Sequence, residues 1–438
     1  MTGFAFRLLH WLLLTLYLVL PLAALAWAFY RQRKGRAGAV PAVTLVCLVG
    51  LGISVTLNLI YATGTRGRPT LPQVALGAYF ATAMLLLLRL FDYGLRAALQ
   101  KLLRLKDAPP GRWRGARVLM AALGRVAVLF AVALPYVMAT VMVYRPKVLP
   151  LDDPRSQLGF DFQRVEFTAS DGVKLVGWWI PAQAPARGRG PRGEARGGSG
   201  GAPAADDWGT ETALVCHGLA ASKSNQLLLA RRLVPGGVNV LAFDFRAHGE
   251  SGGQLASFGA HEKRDVLAAA EWVRSRHPQQ SRRIYGVGAS MGAAALISAA
   301  ADPSPAGQSI DAIAAYATYD DLWDLTGGMA SVYFAPPMNW LLQRIGLPVA
   351  SASVGADLLD YAPARDIPRV WPRPILLIHG QRDEVIPFAR GRTLLEAASQ
   401  PKYHLWYPEG SHNDIVADEP AARIVLEFFR QARAVPVI

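Results

Sequence analysis

Three residue types far apart in the chain, Ser290, Asp383 and His412, together carry the chemistry of acyl transfer. Ser290 sits in Gly288-Ala289-Ser290-Met291-Gly292, a G-x-S-x-G run between the apolar stretch 284–287 and the helix-like run 291–301. Strand, sharp turn and helix is the context that lifts a serine onto an exposed corner, with glycines where a Cβ would clash. A serine hydroxyl is a weak nucleophile at neutral pH, so it needs a base and a group that orients the base. Asp383 follows the apolar run 375–378 in His379-Gly380-Gln381-Arg382-Asp383, and His412 follows 405–407 in Pro408-Glu409-Gly410-Ser411-His412. In this arrangement Ser290 attacks a carbonyl, His412 takes its proton, and Asp383 fixes the imidazole tautomer. The turn His217-Gly218-Leu219 after 213–216 adds a backbone N–H at Leu219, which with that of Met291 makes a two-donor oxyanion hole.

Other polar residues compete for these roles. Asp414 and Glu409 lie in the same loop as His412 and are alternative acids, whereas Asp383 closes a strand of its own. His217 and His379 precede turn glycines and are read as bonding to backbone. No paired cysteines, H-x-x-x-H run or carboxylate cluster suggests a metal, and no glycine-rich phosphate loop suggests a nucleotide. No cofactor is expected.

The elements that must position these residues are short β-rich runs alternating with helical ones. Strands are predicted at 162–168, 173–180, 213–216, 239–243, 284–287, 312–317, 374–379 and 403–407. Helices are predicted at 225–233, 261–276, 291–301, 389–398 and 421–432. Two antiparallel opening strands followed by strand–helix repeats imply an open, mostly parallel sheet with helices on both faces, and chemistry at the carboxyl ends of its strands. Two insertions interrupt the repeat. The Gly/Ala/Arg/Pro-rich stretch 182–209 is read as a disordered surface loop. The stretch 322–370 is read as a helical cap; its Trp323, Tyr333, Phe334, Met338 and Trp340 form either the cap's own core or an acyl-binding surface.

In order along residues 160–435 stand His217-Gly218, the run Asp244-Phe245-Arg246-Ala247-His248-Gly249-Glu250-Ser251, Gly-x-Ser-Met-Gly, His379-Gly380-x-x-Asp383-x-x-x-Pro387 and Gly410-Ser411-His412. This set resembles the α/β-hydrolase superfamily, and within it the serine-aminopeptidase-like and monoacylglycerol-lipase-like branch. The resemblance implies an α/β-hydrolase fold, with catalytic roles for Ser290, Asp383 and His412 and oxyanion donors at Leu219 and Met291. It gives Asp244, Arg246 and His248 structural roles under the site. The chain departs from the family at Gly292-Ala293, where many members have Gly-Gly, and in residues 1–150, which have no counterpart in soluble members.

Those first 150 residues hold eighteen of the chain's 46 Lys/Arg but only two of its 32 Asp/Glu, so the formal charge of +14 is concentrated there. A hydrophobic fraction of 52% and mean hydropathy of +0.21 point to membrane spans. Four apolar segments, 8–30, 40–62, 71–88 and 118–144, each approach the ~20 residues that cross the hydrocarbon core. The basic residues flank them, where they orient helices and meet anionic headgroups. Nucleic-acid binding gains no support. The first and third loops carry eleven Lys/Arg against five on the opposite side, which puts those loops in the cytoplasm and everything after residue 145 outside. The expected layout is an all-α transmembrane region of about four helices over 1–150, then a hydrolase domain over 151–438. The Ala/Arg/Gly-heavy composition suggests a bacterial cytoplasmic membrane, with the domain facing the periplasm. Cys47 and Cys216 are not placed to pair.

The expected activity is that of a membrane-anchored serine hydrolase acting on an ester, a thioester or an acylated substrate from the lipid bilayer. A peptidase of the same fold is the second reading; it needs an acidic anchor for the substrate amine, for which Asp320, Asp321 and Asp324 are candidates. A non-catalytic membrane receptor or scaffold is the third.

Overall fold

The computed structural model describes residues 152–183, 209–333, 338–413 and 419–433, with scattered positions before 151 that include 139, 142–144 and 147–150. The side chains of 332–338 and 341 also lie outside the description. The chain divides into two units, Met1–Leu134 and Pro135–Ile438, and the sheet belongs to the second. The predicted spans fall almost wholly outside the described residues, among which no helix is long and apolar enough to cross a membrane. The core of the predicted loop, residues 184–208, is outside them as well.

Eight strands form one sheet: β1 (Gln163–Thr168), β2 (Lys174–Ile180), β3 (Glu211–Cys216), β4 (Val238–Asp244), β5 (Arg283–Ala289), β6 (Ile310–Tyr316), β7 (Ile375–Gly380) and β8 (Lys402–Tyr407). Their spatial order is β1-β2-β4-β3-β5-β6-β7-β8. The β1–β2 and β2–β4 pairs are antiparallel and the remaining pairs parallel. Each predicted strand is present, and the sheet is mostly parallel as expected.

The main helices are α1 (Leu227–Leu233), α2 (Glu262–Arg276), α3 (Met291–Ala300), α4 (Leu322–Tyr333), α5 (Leu347–Val354), α6 (Phe388–Ala397) and α7 (Glu419–Ala432). The two-residue period of a strand assigns side chains to opposite faces, and β3 is buried on both. Leu214 and Cys216 join the core that holds Val266, Ala269 and Val273 of α2 and Leu296 of α3. Ala213 and Val215 join the core that holds Leu229 and Leu233 of α1 and Val425 and Phe429 of α7. The chain therefore leaves β3 toward one face and β5 toward the other. That divergence opens a crevice beyond the carboxyl ends of these two neighbouring strands.

Between β6 and β7, where the cap is expected, the described residues hold α4, α5 and shorter helical turns. Its buried residues Leu322, Leu325, Leu347, Ala350 and Leu358 form a third apolar cluster with Phe258, Ala294 and Ile386 of the main domain.

Beside the crevice a charged network replaces apolar packing. Lys223 is fully buried; its Nζ lies 2.5 Å from Asp244 Oδ2 and 2.6 Å from Glu250 Oε2, and 4.8 Å from the centre of the Trp178 ring. Asp244 also accepts the Lys223 and Glu250 backbone N–H groups at 2.8 and 2.9 Å. One carboxylate thus ties the segment after β3 to the loop after β4. Arg246 makes a second clamp, to Asp265 and Asp171, both at 2.6 Å. Removing one partner of a buried pair leaves the other charge uncompensated. Lys223→Met is therefore expected to cost about 3 kcal/mol of unfolding free energy, read from the midpoint shift in chemical denaturation.

Candidate active site

β5 ends at Ala289, and the next residue breaks the backbone pattern. Ser290 has φ +52° and ψ −119°, a conformation that costs a residue with a side chain roughly 1–3 kcal/mol. Three hydrogen bonds hold the corner: Ser290 N–H donates to Tyr316 O at 2.9 Å, Ala294 N–H donates to Ser290 O at 3.1 Å, and Thr318 Oγ1 donates to the same oxygen at 2.9 Å. The two glycines of the motif are required by contact. A Cβ on Gly288 would lie 2.8 Å from Ala293 N and the Gly292 carbonyl, and one on Gly292 would overlap the carbonyl oxygens of Cys216 and His217. All ten residues of α3 are buried, so a run of small side chains lets the helix start directly behind the corner.

Asp383 is buried in the loop after β7. Its Oδ1 accepts the N–H groups of Val385 and Ile386 at 2.9 and 2.7 Å, which fixes the carboxylate plane. Its Oδ2 lies 2.7 Å from His412 Nδ1. The structure thus brings together two of the predicted residues from loops after adjacent strands. The third shares a cavity with one of them: Ser290 and His412 both line a space of about 720 Å³, as do Leu219 and Met291. Met291 is the first residue of α3, so its N–H has no acceptor within the helix. Of the alternative acids, Glu409 is exposed and pairs with Arg382 at 2.5 Å; Asp414 lies outside the described residues.

The turn that carries Leu219 is held by two histidines. Phe245 N–H donates to His217 Nε2 at 3.0 Å, while His217 Nδ1 faces Gly218 O at 2.7 Å. Ala220 N–H donates to His248 Nε2 at 3.2 Å, and His248 Nδ1 faces Arg246 O at 2.8 Å. An N–H donor at Nε2 requires the lone pair there, so each ring is a neutral imidazole with its proton on Nδ1. Burial pushes the His217 pKa down to about 3. His379 Nε2 likewise faces a backbone carbonyl, Ile386 O, at 2.9 Å, so the backbone readings of His217 and His379 match the geometry.

The cavity wall is largely apolar, and its cap side differs from the set of large residues picked from sequence. Leu322, Leu325, Met329 and Ala330 of α4 line it, with Leu347 of α5. Trp323 is not among the lining residues; it packs against the cap cluster instead. Trp340 is 51% exposed, with the Arg344 guanidinium 5.0 Å over its ring. Phe334 and the side chains of Tyr333 and Met338 lie outside the description. Residues 322, 325, 326 and 329 lie on one face of α4 and all line the cavity; 323 stands about 100° from 322, beside Ala330 at the margin of that face.

Gln226 was not marked by any sequence signal, yet it lines the cavity, and its buried Oε1 has no hydrogen-bond partner among the described residues. The acids proposed as an amine anchor are not in the wall. Asp320 and Asp324 face Arg390 at 3.4 and 2.9 Å, and Asp321 Oδ1 accepts the Asp324 N–H at 3.1 Å. Cys47 and Cys216 are both unpaired, and Cys216 is buried.

The sheet order, the strained serine corner and the carboxylate–histidine pair define an α/β-hydrolase domain. Residues 213–426 match the model of the family described as "Alpha/beta hydrolase family", and the fold of this domain is the α/β-hydrolase fold. It is similar to YfhR of Escherichia coli, an uncharacterized protein, at 28% identity over 256 residues, 58% of this chain and 75% of that one. It is also similar to the uncharacterized Rv2307c of Mycobacterium tuberculosis, at 29% identity over 276 residues, 62% of this chain and 80% of that one. Among solved structures it is similar to the esterase Pf2001 of Pyrococcus furiosus, with 28% identity and a TM-score of 0.49 over 66% of this chain and 99% of that one.

The neutral His217 has a consequence for acid stability. Its folded pKa, about 3, lies below the ~6.5 of a free imidazole, so between these values the unfolded chain binds a proton that the folded chain does not. Stability from this residue is complete above about pH 7 and is lost as pH falls. Going from pH 7.5 to 5.5 it should cost about 1 kcal/mol. His217→Gln is expected to start less stable and to show a smaller fall in melting temperature over that interval.

Proposed function

We propose that this chain is a membrane-anchored serine hydrolase that cleaves an ester or thioester with an apolar acyl group, through an acyl-enzyme on Ser290. The observation that carries the reading is convergence: the strained Ser290 corner and the Asp383-held His412 meet on one apolar cavity.

In this mechanism Asp383 Oδ2 accepts a hydrogen bond from His412 Nδ1–H, which keeps the proton on Nδ1 and leaves the Nε2 lone pair to act as base. As Ser290 Oγ bonds to the acyl carbon, Nε2 takes the hydroxyl proton and the carbonyl oxygen becomes an oxyanion. The N–H groups of Leu219 and Met291 donate to that oxyanion; a donor of this kind is worth about 3 kcal/mol in the transition state. Collapse breaks the bond to the leaving alcohol or thiol, which receives the proton from Nε2. Water then repeats the sequence on the acyl-enzyme, releasing the acid and restoring Ser290.

An apolar wall with few polar groups suits an acyl chain. The peptidase reading is weaker, because Arg390 already engages Asp320 and Asp324, the carboxylates a substrate amine would need. The membrane part of the proposal rests on the four apolar segments and the concentration of Lys/Arg beside them. It places the basic first and third loops in the cytoplasm and the hydrolase domain on the periplasmic side, with substrate drawn from the adjoining bilayer.

A fluorophosphonate probe is expected to label the detergent-solubilised chain and to lose that labelling in Ser290→Ala; an unlabelled wild-type chain would refute the enzyme reading, as expected for a receptor or scaffold. Asp383→Asn keeps the acceptor for Val385 and Ile386 but turns an amide toward His412 Nδ1, which selects the wrong tautomer. Its kcat on a medium-chain ester should fall by about 10³–10⁴, with acyl esters preferred over aminoacyl amides in the wild type. Trypsin added to intact spheroplasts should cut within 182–209, where four arginines stand; protection until lysis would reverse the orientation.

A further inference from the structure

The cavity has a wall that comes from outside the sheet-and-cap architecture. Met142 lines it, although 142 lies within the apolar segment 118–144 rather than in any strand–helix repeat. Positions 139, 142 and 143 are helical, and their spacing of three and four puts them on one helix face. Ala139 and Val143 are fully buried in the cluster that contains Phe258, Leu322, Leu347 and Ile386, and Met142 packs against the same cluster.

Two polar ties hold this segment in register. Ala256 N–H donates to Val143 O at 2.8 Å. Four residues further on, Lys147 Nζ donates to Ser251 O. Both partners on the hydrolase side belong to the loop after β4, so the segment is fastened at two points beside the crevice. A flexible tether between a membrane anchor and an independent enzyme would bury no such face.

We infer that Met142, backed by the buried Ala139 and Val143, is a built part of the substrate cavity's wall and a specificity-determining residue, in contact with the acyl chain of the substrate. This rests on the serine hydrolase reading above for the identity of the ligand, but the wall itself rests on packing. An unbranched thioether side chain suits the position, because it adapts to an irregular apolar surface. The chain that leads out of the proposed membrane region thereby also shapes which acyl groups the domain accepts.

The test uses the full-length chain in detergent, with p-nitrophenyl esters from acetate to dodecanoate. Met142→Trp should lower the ratio of kcat/KM for the octanoyl to the acetyl ester at least tenfold, by filling the cavity. Met142→Ala should move the optimum toward longer chains. If both variants keep the wild-type chain-length profile, Met142 is not in contact with substrate and the inference is overturned. A second readout separates this from failure of the catalytic reading: binding of a fluorescent long-chain fatty acid to the Ser290→Ala chain, where no turnover is needed. Weaker binding on adding Met142→Trp supports the wall even if wild-type chain hydrolyses no ester; unchanged binding in Met142→Trp and Met142→Ala overturns it.

Discussion

The rest of the site depends on one close approach, that of the Ser290 corner to the carboxyl end of β3. Gly292 passes so near the carbonyl oxygens of Cys216 and His217 that a Cβ there would overlap both. This contact sets the distance between the Met291 N–H and the turn that carries Leu219. It also forces Ser290 to φ +52°, because no relaxed turn connects β5 to a helix packed that tightly. The cost of roughly 1–3 kcal/mol is offset by what the helix buries. Leu296 and Ile297 are completely buried, each worth about 1.5–3 kcal/mol relative to exposure. The geometry of the Ser290 corner is thus a consequence of core packing.

On the other side of the corner the structure uses dipoles where charges would be harmful. His217 and His248 lie with ring centres 5.0 Å apart, directly under the turn with Leu219, and both accept a backbone N–H at Nε2. A proton on either ring would displace one of these bonds and break the support of the turn. The full charges nearby are balanced within the protein: Lys223 by Asp244 and Glu250, Arg246 by Asp265 and Asp171. These pairs brace the loops after β3 and β4. Neutral, oriented groups next to an apolar cavity are what preorganised stabilisation of an oxyanion requires, since they need no reorganisation as charge develops.

Much of this was legible in the sequence, for a definite reason. The strands of a parallel sheet are short apolar runs bounded by turn residues, and the functional residues sit at their ends. Ser290, Asp383 and His412 could therefore be found in the turns immediately after the runs 284–287, 375–378 and 405–407. Glycine spacing identified the corner because only sterics of backbone on backbone exclude a Cβ there. The cavity wall was less accessible. Large side chains in the cap, such as Trp323 and Trp340, suggested themselves by size. The wall instead centres on the helical face 322, 325, 326 and 329, and face selection depends on which side of α4 meets the domain. Gln226 and Met142 were invisible for the same reason: neither belongs to a motif, and each is brought to the cavity by tertiary packing.

The position of Met142 alters how the two halves of the chain relate in function. An enzyme whose anchor only raises local concentration gains by mass action, and its selectivity resides wholly in the soluble domain. Here the residues that precede the sheet bury a helix face against the cap cluster and bond to the loop after β4. Any change in tilt or register of that helix would therefore move a wall of the cavity, while the Asp383–His412 pair, held by β7 and β8, would stay in place. On the proposed reading, selectivity for the acyl group and the chemistry of its transfer fall to different parts of the chain. The first is tied to the segment nearest the proposed bilayer, and the second to the interior of the sheet.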